Sequence, residues 1–593
     1  MRMRYLALAT DYDGTLAHHG RVDDETLAGL ERLLASGRDL IMVTGRRLEE
    51  LAECFPHLEL FKYVVAENGA LLYSPANQQS KTLAEPPPVE FVVALKERGV
   101  KRIEVGRVIV ATWEPHEIAV LEVIREQGLE LQVVFNKGAV MVLPSGVNKA
   151  TGLTAALKEM KLSPHNVVGI GDAENDHAFL ALTECSVAVE NALPVLKDRA
   201  DVVTKADHGR GVVELIDRMI ADDLEQLETR LGRHHLLLGT SDQKGDVRIL
   251  PSASSLLISG ASGSGKSTVA SGLVERLMEQ CYQCCIIDPE GDYSELEGAA
   301  VLGNTKRPPT IDEIVHLLDD PKEHVVANLI DLPVTERPDF FLKLLPRLQE
   351  LRSRKGRPHW IVVDEAHHLM PAQWEPGERA LPRELKQVMW ITVDPSLLAP
   401  AVLEMVRTII APGPEAASVF HSFAKIAGEK PPRLPPVKVE KGQVLYWRRD
   451  AESEPLLVQS KPSTSQRKRH QRKYAEGELP PDRSFYFRGP EGKLKLRAQN
   501  LFVFMSLADG VDDATWLFHL GRGDYSTWFR DRIKDPELAA IAVEIEQQRE
   551  PTAEQSRSRI KQAIEERYTL PAQAPLPMPG TDAEGQFAAP ATK

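Results

Sequence analysis

The sequence predicts an α/β protein: a parallel sheet wound with helices and carrying an inserted α+β cap, a second α/β domain, then a small helical module. Three observations predict it. Apolar strands alternate with helical patterns over residues 5 to about 222, and again from about 234 to 447. A carboxylate pair, Asp11 and Asp13 in DYDGT, follows the first strand directly. A glycine-rich loop, GASGSGKS at 260–267, stands between a strand and an amphipathic helix. At 593 residues the chain is also too long for a single core, since domains run to roughly 100–200 residues.

In the first region, expected at 1–222, the strands read as LALAT, DLIMVTG, KYVVAENGALLY, NVVGIGD, SVAVE and DVVT. Over about 74–148 the pattern changes to short strands, KRIEVG, VIVATW, LQVVFN and AVMVLP, separated by helical stretches. That stretch is the cap, and the core resumes at Lys149. A polar helix near 222–231 leads into the second region, expected at 234–447, with strands SLLISG, CCIID, HVVANLI, HWIVVDE and VMWITV. Residues 448–473 are polar and read as a basic linker ending in KPSTSQRKRHQRK. Residues 474–550 read as a small helical accessory domain. There Trp516, His519, Tyr525, Trp528 and Phe529 recur at helical intervals, which points to a core, and His519 lacks a metal-spaced partner. Residues 551–593, rich in Pro, Ala, Gln and Glu, read as largely disordered.

A formal charge of −14 speaks against a chain that coats nucleic acid non-specifically, because phosphate binding needs a concentrated basic face. Stretches of about 20 uninterrupted apolar residues, which a membrane span needs, are absent from the sequence. The opening MRMRYLALATDYDG reads as a buried strand and not as an export signal. The five cysteines make neither a disulfide framework nor a zinc motif, and Cys281, Cys284 and Cys285 read as small buried hydrophobes beside the strand that holds Ile286 and Ile287. A reduced, cytoplasmic protein with no membrane association is expected.

Asp11 is placed by its strand at the carboxyl end of the sheet, where open α/β sheets bind their ligands. Two carboxylates one residue apart can share a site, one attacking phosphorus and the other protonating the leaving oxygen. Thr44, ending the next strand in VTGR, offers a hydroxyl to a phosphate oxygen. Lys149 supplies a cation, and GIGDAEND brings the carboxylates Asp172 and Asp176 to another strand end. Nucleophile, hydroxyl, cation and metal-binding acid are the set that in-line transfer through an aspartyl-phosphate requires.

With these motifs in this order, residues 1 to about 220 resemble the haloacid dehalogenase (HAD) superfamily of phosphatases, with its Rossmann-like sheet. The position of the cap and AENGA at 66–70 resemble the Cof-type (IIB) branch, which includes sucrose-phosphate and phosphoglycolate phosphatases. The resemblance implies Asp11 as nucleophile, Asp13 as general acid and base, and Thr44 and Lys149 as holders of the phosphoryl group. It implies Mg2+ held by Asp11, Asp13 through its carbonyl, and Asp172, with Asn175 and Asp176 orienting that shell. Arg46, Glu67, Asn68 and the cap near Arg107 or Lys137 are candidates for reading a small phosphorylated sugar or acid, and the sequence does not choose between these substrates.

In the second region, Gly260, Gly263 and Gly265 let backbone amides turn inward around phosphates. Lys266 reaches the terminal phosphates of ATP, while Ser267 ligates magnesium and Thr268 follows it. HWIVVDEAHH delivers Asp364 to the magnesium shell and Glu365 as a candidate base that polarises water. CCIIDPEGDY and VMWITVDP resemble the HerA and FtsK group of P-loop, RecA-like ring ATPases, with a polar sensor at Thr392. VLEMVRTIIAPG resembles their last core strand, and Arg407 just before it would be a finger reaching a neighbour's nucleotide. The resemblance implies a homo-oligomer, most simply a hexamer. The long β-barrel domain that precedes the loop in HerA is replaced here by the phosphatase.

The leading expectation is a magnesium-dependent phosphatase governed by an ATPase in the same chain. Two alternatives stay open: a ring motor on nucleic acid with the phosphatase as effector, and a nucleotide-sensing oligomerisation scaffold.

Overall fold

The computed structural model describes residues 3–568 except 137, 252–254, 375–380, 382–384, 437, 450–453, 464–478, 480–482, 493, 534 and 549–551. The chain forms two compact units, residues 1–462 and 463–593.

The first unit opens on an eight-stranded sheet in the order Val202–Val203, Cys185–Ala188, Val167–Gly171, Ala7–Thr10, Asp39–Val43, Tyr63–Ala66, Leu71–Ser74, Gln79–Thr82. The first six strands run parallel and the last two antiparallel. ALAT and VVGIG are buried at every position, as strands covered by helices on both faces must be. Asp23 caps the helix Asp24–Ala35 by accepting from the Thr26 amide at 2.8 Å. Of the antiparallel pair, Gln79–Thr82 falls inside the stretch read as the start of the cap, so the core sheet extends to Thr82. The cap itself is a four-stranded antiparallel sheet, ordered Glu104–Val105, Val110–Trp113, Ala139–Pro144, Leu131–Asn136, with helices Val89–Glu97 and Glu117–Glu126 packed around Phe91, Val120 and Val142.

The second sheet has eleven strands. Seven are parallel, in the order Thr408–Pro412, Ser255–Ser259, Val388–Thr392, Trp360–Val363, Cys284–Asp288, His324–Asn328, Ala299–Leu302. Alternation along each strand feeds two cores: Cys285 and Ile287 face one, Cys284 and Ile286 the other. Cys284 and Cys285 are therefore buried hydrophobes, whereas Cys281 is exposed. Beyond Thr408–Pro412 the edge continues antiparallel through Gln443–Arg448, Leu456–Ser460, Leu236–Ser241 and Gly245–Ile249. Leu456–Ser460 corrects the reading of 448–473 as linker throughout. Its apolar side chains were masked in the sequence by charged neighbours.

The two sheets meet at the amino ends of their strands. Asn166, before Val167–Gly171, donates to the Gly356 carbonyl at 3.3 Å, and Arg357 donates to the Lys161 carbonyl at 3.1 Å. His359, just before Trp360–Val363, lies 3.4 Å from Asn166 Oδ1. The carboxyl ends, where Asp11 and the glycine-rich loop sit, therefore face away from the shared surface.

In the second unit a hairpin, Phe485–Phe487 with Leu496–Ala498, packs on helices Leu501–Gly510, Asp513–Leu520, Asp524–Asp531, Pro536–Glu546 and Ala553–Tyr568. Trp516, Tyr525, Trp528 and Phe529 are buried in its core. His519 is spent internally, with Nδ1 2.8 Å from Asp524 and Nε2 accepting from the Arg488 amide at 3.0 Å. The helix Ala553–Tyr568 corrects the reading of 551–593 as largely disordered over that stretch. Ile560, Ala563, Ile564 and Tyr568 give it a buried stripe too sparse to stand out among its charges. Residues 569–593 lie outside the described residues.

Candidate active sites

The first site is built by three strand ends, those of Ala7–Thr10, Asp39–Val43 and Val167–Gly171, and by the start of the helix Lys149–Glu159. Asp11 follows Ala7–Thr10, and its Oδ1 lies 2.6 Å from the Lys149 ammonium, which also reaches Asp176 Oδ1 at 2.6 Å. The other oxygen of Asp176 accepts from the amides of Asp172 and Ala173, each at 2.9 Å, so Asp176 fixes the loop that presents Asp172. Thr15 donates to Asp172 at 3.3 Å. Burial raises the Asp11 carboxyl to about 8, with Asp176 and Asp172 adding to the rise and Lys149 opposing it. Burial opposes the charge on Lys149, but Asp11 and Asp176 override it and raise that group.

Ligand oxygens of Asp11, Asp172 and Asp176 lie within 4.8 Å of one another, all buried. Three such carboxylates facing one lysine fit a hard divalent cation that takes oxygen donors. Asp13 stands apart from them: its two oxygens are gripped by Arg46, with Nε at 2.6 Å and Nη2 at 2.7 Å. Thr44 is buried at the end of Asp39–Val43, and its hydroxyl accepts from the Arg46 amide at 3.1 Å.

AENGA does different work from that expected of it. The Glu67 carboxylate accepts from the amides of Arg107, Val108 and Ile109 at 2.8, 2.7 and 2.9 Å, so it anchors a cap loop and is not free to read substrate. Asn68 accepts from Asn175 at 3.1 Å. Gly69 has φ +102°, and a Cβ there would lie 1.9 Å from the Asn148 carbonyl, so only glycine lets this turn approach the helix that starts at Lys149. Arg107 pairs with Glu49 at 3.0 Å, and Lys137 lies outside the described residues.

In the second site, Gly263 and Gly265 have φ of +80° and +104°, which turns the loop back over the strand Ser255–Ser259 and into the helix Lys266–Glu279. A Cβ on Gly260 would meet Ser264 Oγ at 2.8 Å. The Ser264 hydroxyl, within the loop, is buried without a hydrogen-bond partner. Lys266 Nζ lies 3.4 Å from the Ala261 carbonyl, and Ser267 is exposed beside Thr268 at the helix start. Asp364 is raised well above the carboxylate range by burial and then by Asp288, Asp292 and Glu365. Burial likewise raises Glu365, against the pull of Lys266. Glu365 has φ +38° and a buried oxygen without a hydrogen bond, and the His367 ring lies 3.5 Å from it. Thr392, at the end of the strand between the loop strand and the Asp364 strand, lies 3.2 Å from His367.

Arg407 is not brought into this site. It is exposed, and its amide donates to the Ser255 carbonyl at 3.0 Å, at the opposite strand end from the glycine-rich loop. Asp288 was missed as a site residue, although CCIID delivers it to its strand end just as LALAT delivers Asp11. It accepts from the Asp292 and Tyr293 amides at 3.0 and 2.7 Å, which presents Asp292 toward Asp364.

Residues 8–105 and 108–216 match the family model of haloacid dehalogenase-like hydrolases. Over 223 residues the chain is 30% identical to the phosphoglycolate phosphatase of Methanothermobacter thermautotrophicus, covering 36% of this chain and 98% of that protein. The chain belongs to the haloacid dehalogenase-like hydrolases. A second relative of this hydrolase, phosphoglycolate phosphatase 2 of Saccharolobus solfataricus, is 27% identical over 223 residues, 36% of this chain and 93% of that protein. A third, the phosphoglycolate phosphatase of Natronomonas pharaonis, is 30% identical over 230 residues, 36% of this chain and 96% of that protein. After its phosphatase region the hydrolase carries a HerA-type ATPase domain, residues 247–354 matching the central domain of helicase HerA. Among the described residues, no helix is long and apolar enough to cross a membrane.

Proposed function

We propose that this hydrolase cleaves a small phosphorylated acid or sugar through an aspartyl-phosphate on Asp11, and that its ATPase domain binds and hydrolyses ATP to govern that activity. The observation that carries the reading is the Asp11–Lys149–Asp176 chain of contacts, at 2.6 Å each, beside Asp172. It sets a nucleophile, a cation and metal-binding acids around one point at the carboxyl end of a sheet. Phosphoglycolate is the first substrate to test, because the relatives bear its name.

Asp11, Asp172 and Asp176 would hold Mg2+, with Asp13 contributing through its main chain. When bound there, the ion polarises a phosphoryl oxygen and offsets negative charge. Lys149 holds Asp11 and a phosphoryl oxygen in one geometry, Thr44 offers its hydroxyl to the same group, and Asp13 delivers a proton to the leaving oxygen. In the ATPase domain the loop 260–268 would cradle ATP, with Ser267 and Asp364 around its magnesium, Glu365 activating water and Thr392 positioning it through His367.

Coupling between the two activities is supported by the shared surface at the amino ends of both sheets, since the mouths open away from each other and cannot pass a product directly. An exposed Arg407 suits a contribution to a neighbouring copy in a homo-oligomer, most simply a hexamer.

The deciding experiment is a hydrolysis screen over phosphorylated metabolites, with and without ATP. Asp11→Asn should abolish phosphomonoester hydrolysis and leave ATP turnover intact; equal activity of variant and parent would sink the assignment. Arg407→Ala should lower turnover while ATP binding survives, and mixing Arg407→Ala with Lys266→Ala copies should restore some activity. A particle that stays monomeric by light scattering with ATP and magnesium, yet turns over at full rate, rules the shared site out. Stimulation of turnover by DNA would favour the ring motor, and ATP binding without turnover the scaffold.

A further inference from the structure

Three side chains of metal-ligating chemistry converge at the joint between the phosphatase and ATPase regions, away from both catalytic ends. His165 and Glu184 are buried and His234 half-buried, and one ligand atom from each lies within 4.8 Å of the others. His165 Nδ1 is 2.5 Å from Glu184 Oε2, and His234 Nε2 is 3.9 Å from the same oxygen. Asp172 stands at the far end of the strand Val167–Gly171 that begins just after His165.

The outer nitrogen of His165 is held in place: Nε2 lies 2.6 Å from the Gln280 carbonyl. A carbonyl can only accept, so Nε2 of His165 carries a proton, and in the neutral ring Nδ1 is left as a lone pair. Metal-ligating histidines are held in this way by their outer nitrogens. In that form the Nδ1 lone pair faces the Glu184 carboxylate, a contact that either a proton shared at 2.5 Å or a bound metal ion satisfies. His234 Nε2 is buried there with no hydrogen-bond partner.

We propose that His165, Glu184 and His234 form a site for a transition-metal dication, with Zn2+ the best match. Ligand atoms held at 2.0–2.2 Å around a tetrahedral ion lie about 3.3 Å apart, a spacing that 2.5 and 3.9 Å bracket and small side-chain rotations reach. The other Glu184 oxygen is already held by Arg4, and the Tyr282 hydroxyl donates to Glu184 at 2.9 and 3.0 Å while its ring stacks on His165 at 3.7 Å. The Arg4 guanidinium weakens the site for any cation. It weighs most against Mg2+ and Ca2+, which need several carboxylates, and least against ions that prefer imidazole. The metal's role here is structural: it staples the segment after the phosphatase region to the base of that region. The staple lies beside Gln280, the residue that ends the helix beginning at Lys266.

The test uses the untagged full-length chain, stripped of metal and given excess Mg2+ to occupy the carboxylate site, then titrated with Co2+. One equivalent should bind with the strong visible absorption of nitrogen-ligated, four-coordinate cobalt, and Zn2+ should abolish the band. His234→Gln removes the ligand nitrogen and should lower Co2+ affinity more than tenfold, its own metal-free melting temperature serving as the baseline for the effect of Zn2+. Zn2+ should raise the melting temperature of the parent and not of the variant. A parent without the band, or a band that His234→Gln leaves unchanged, overturns the site.

Discussion

Arg46 holds Asp13 by a two-pronged ion pair, Nε to Oδ2 at 2.6 Å and Nη2 to Oδ1 at 2.7 Å. The carboxylate expected to carry the proton is therefore oriented by a residue of the next strand end. Asp13→Asn should lower kcat roughly 10²–10⁴-fold, the usual worth of a positioned proton-transfer group. Arg46→Ala should cost about tenfold, because Arg46 acts through Asp13 and the pair is partly exposed to water. Arg46→Lys should not rescue it, since a single ammonium cannot make the fork. Steady-state kinetics on one phosphomonoester checks all three, and a loss in Arg46→Ala as deep as in Asp13→Asn would show that Arg46 touches the reacting group itself.

In the ATPase domain two substitutions should separate binding from turnover. Lys266→Ala should weaken ATP binding, because Lys266 is the cation of the loop. Glu365→Gln keeps the loop and should bind ATP as the parent does, while turnover falls about 10²–10⁴-fold through loss of the base. Equilibrium binding of a fluorescent nucleotide together with phosphate release reads both quantities. Normal hydrolysis by the Glu365 variant would move the base elsewhere, with His367 the nearest group to test.

The placement of Asp11 and Asp364 was legible because each directly follows an apolar strand, ALAT and WIVV, and a strand's carboxyl end fixes where its next residue points. What was not legible depends on partners distant in sequence. Nothing near Glu67 reveals that its carboxylate closes on three amides of the loop 107–109. Nothing near Leu456–Ser460 reveals that its partner strands begin at Gln443 and Leu236. The joint was hidden for the same reason: His165, Tyr282 and His359 each stand just ahead of a strand and far apart in sequence, and only the packing of one sheet's base on the other makes them a cluster.

That joint has a sensitive point at Gly356. Its φ is +67°, and a Cβ there would lie 2.2 Å from Asn166 Nδ2. Gly356→Ala should destabilise the chain by about 2 kcal/mol, from left-handed backbone cost plus overpacking. Adding Asn166→Ala should remove the overpacking, so the double variant should be less destabilised than the sum of the two singles. Urea denaturation followed by fluorescence measures it. Strict additivity would show that the two residues do not press on each other.

Asp535 ties the helix Ala553–Tyr568 to the rest of its unit: Arg567 reaches it at 3.0 Å, the Tyr568 hydroxyl donates at 2.9 Å and the Leu538 amide at 2.9 Å. Burial alone would raise this carboxyl, but these three partners outweigh it and lower it below its ordinary 3.8. A carboxyl lowered in the folded state binds its proton more readily when unfolded. Its contribution is therefore complete at pH values above about 4, and it fades as the pH falls from there through the lower folded-state value. Asp535→Asn should loosen the helix by about 2 kcal/mol at pH 7, the scale of hydrogen bonds to a charged group. Hydrogen exchange of residues 553–568 in the full chain should be faster in the variant than in the parent at pH 7. The gap should narrow once the pH drops below about 4, where the parent's carboxyl also takes up its proton. A difference that stays constant from pH 7 down to pH 2 would mean that the charge on Asp535 does not hold the helix, leaving shape and neutral hydrogen bonds to do so.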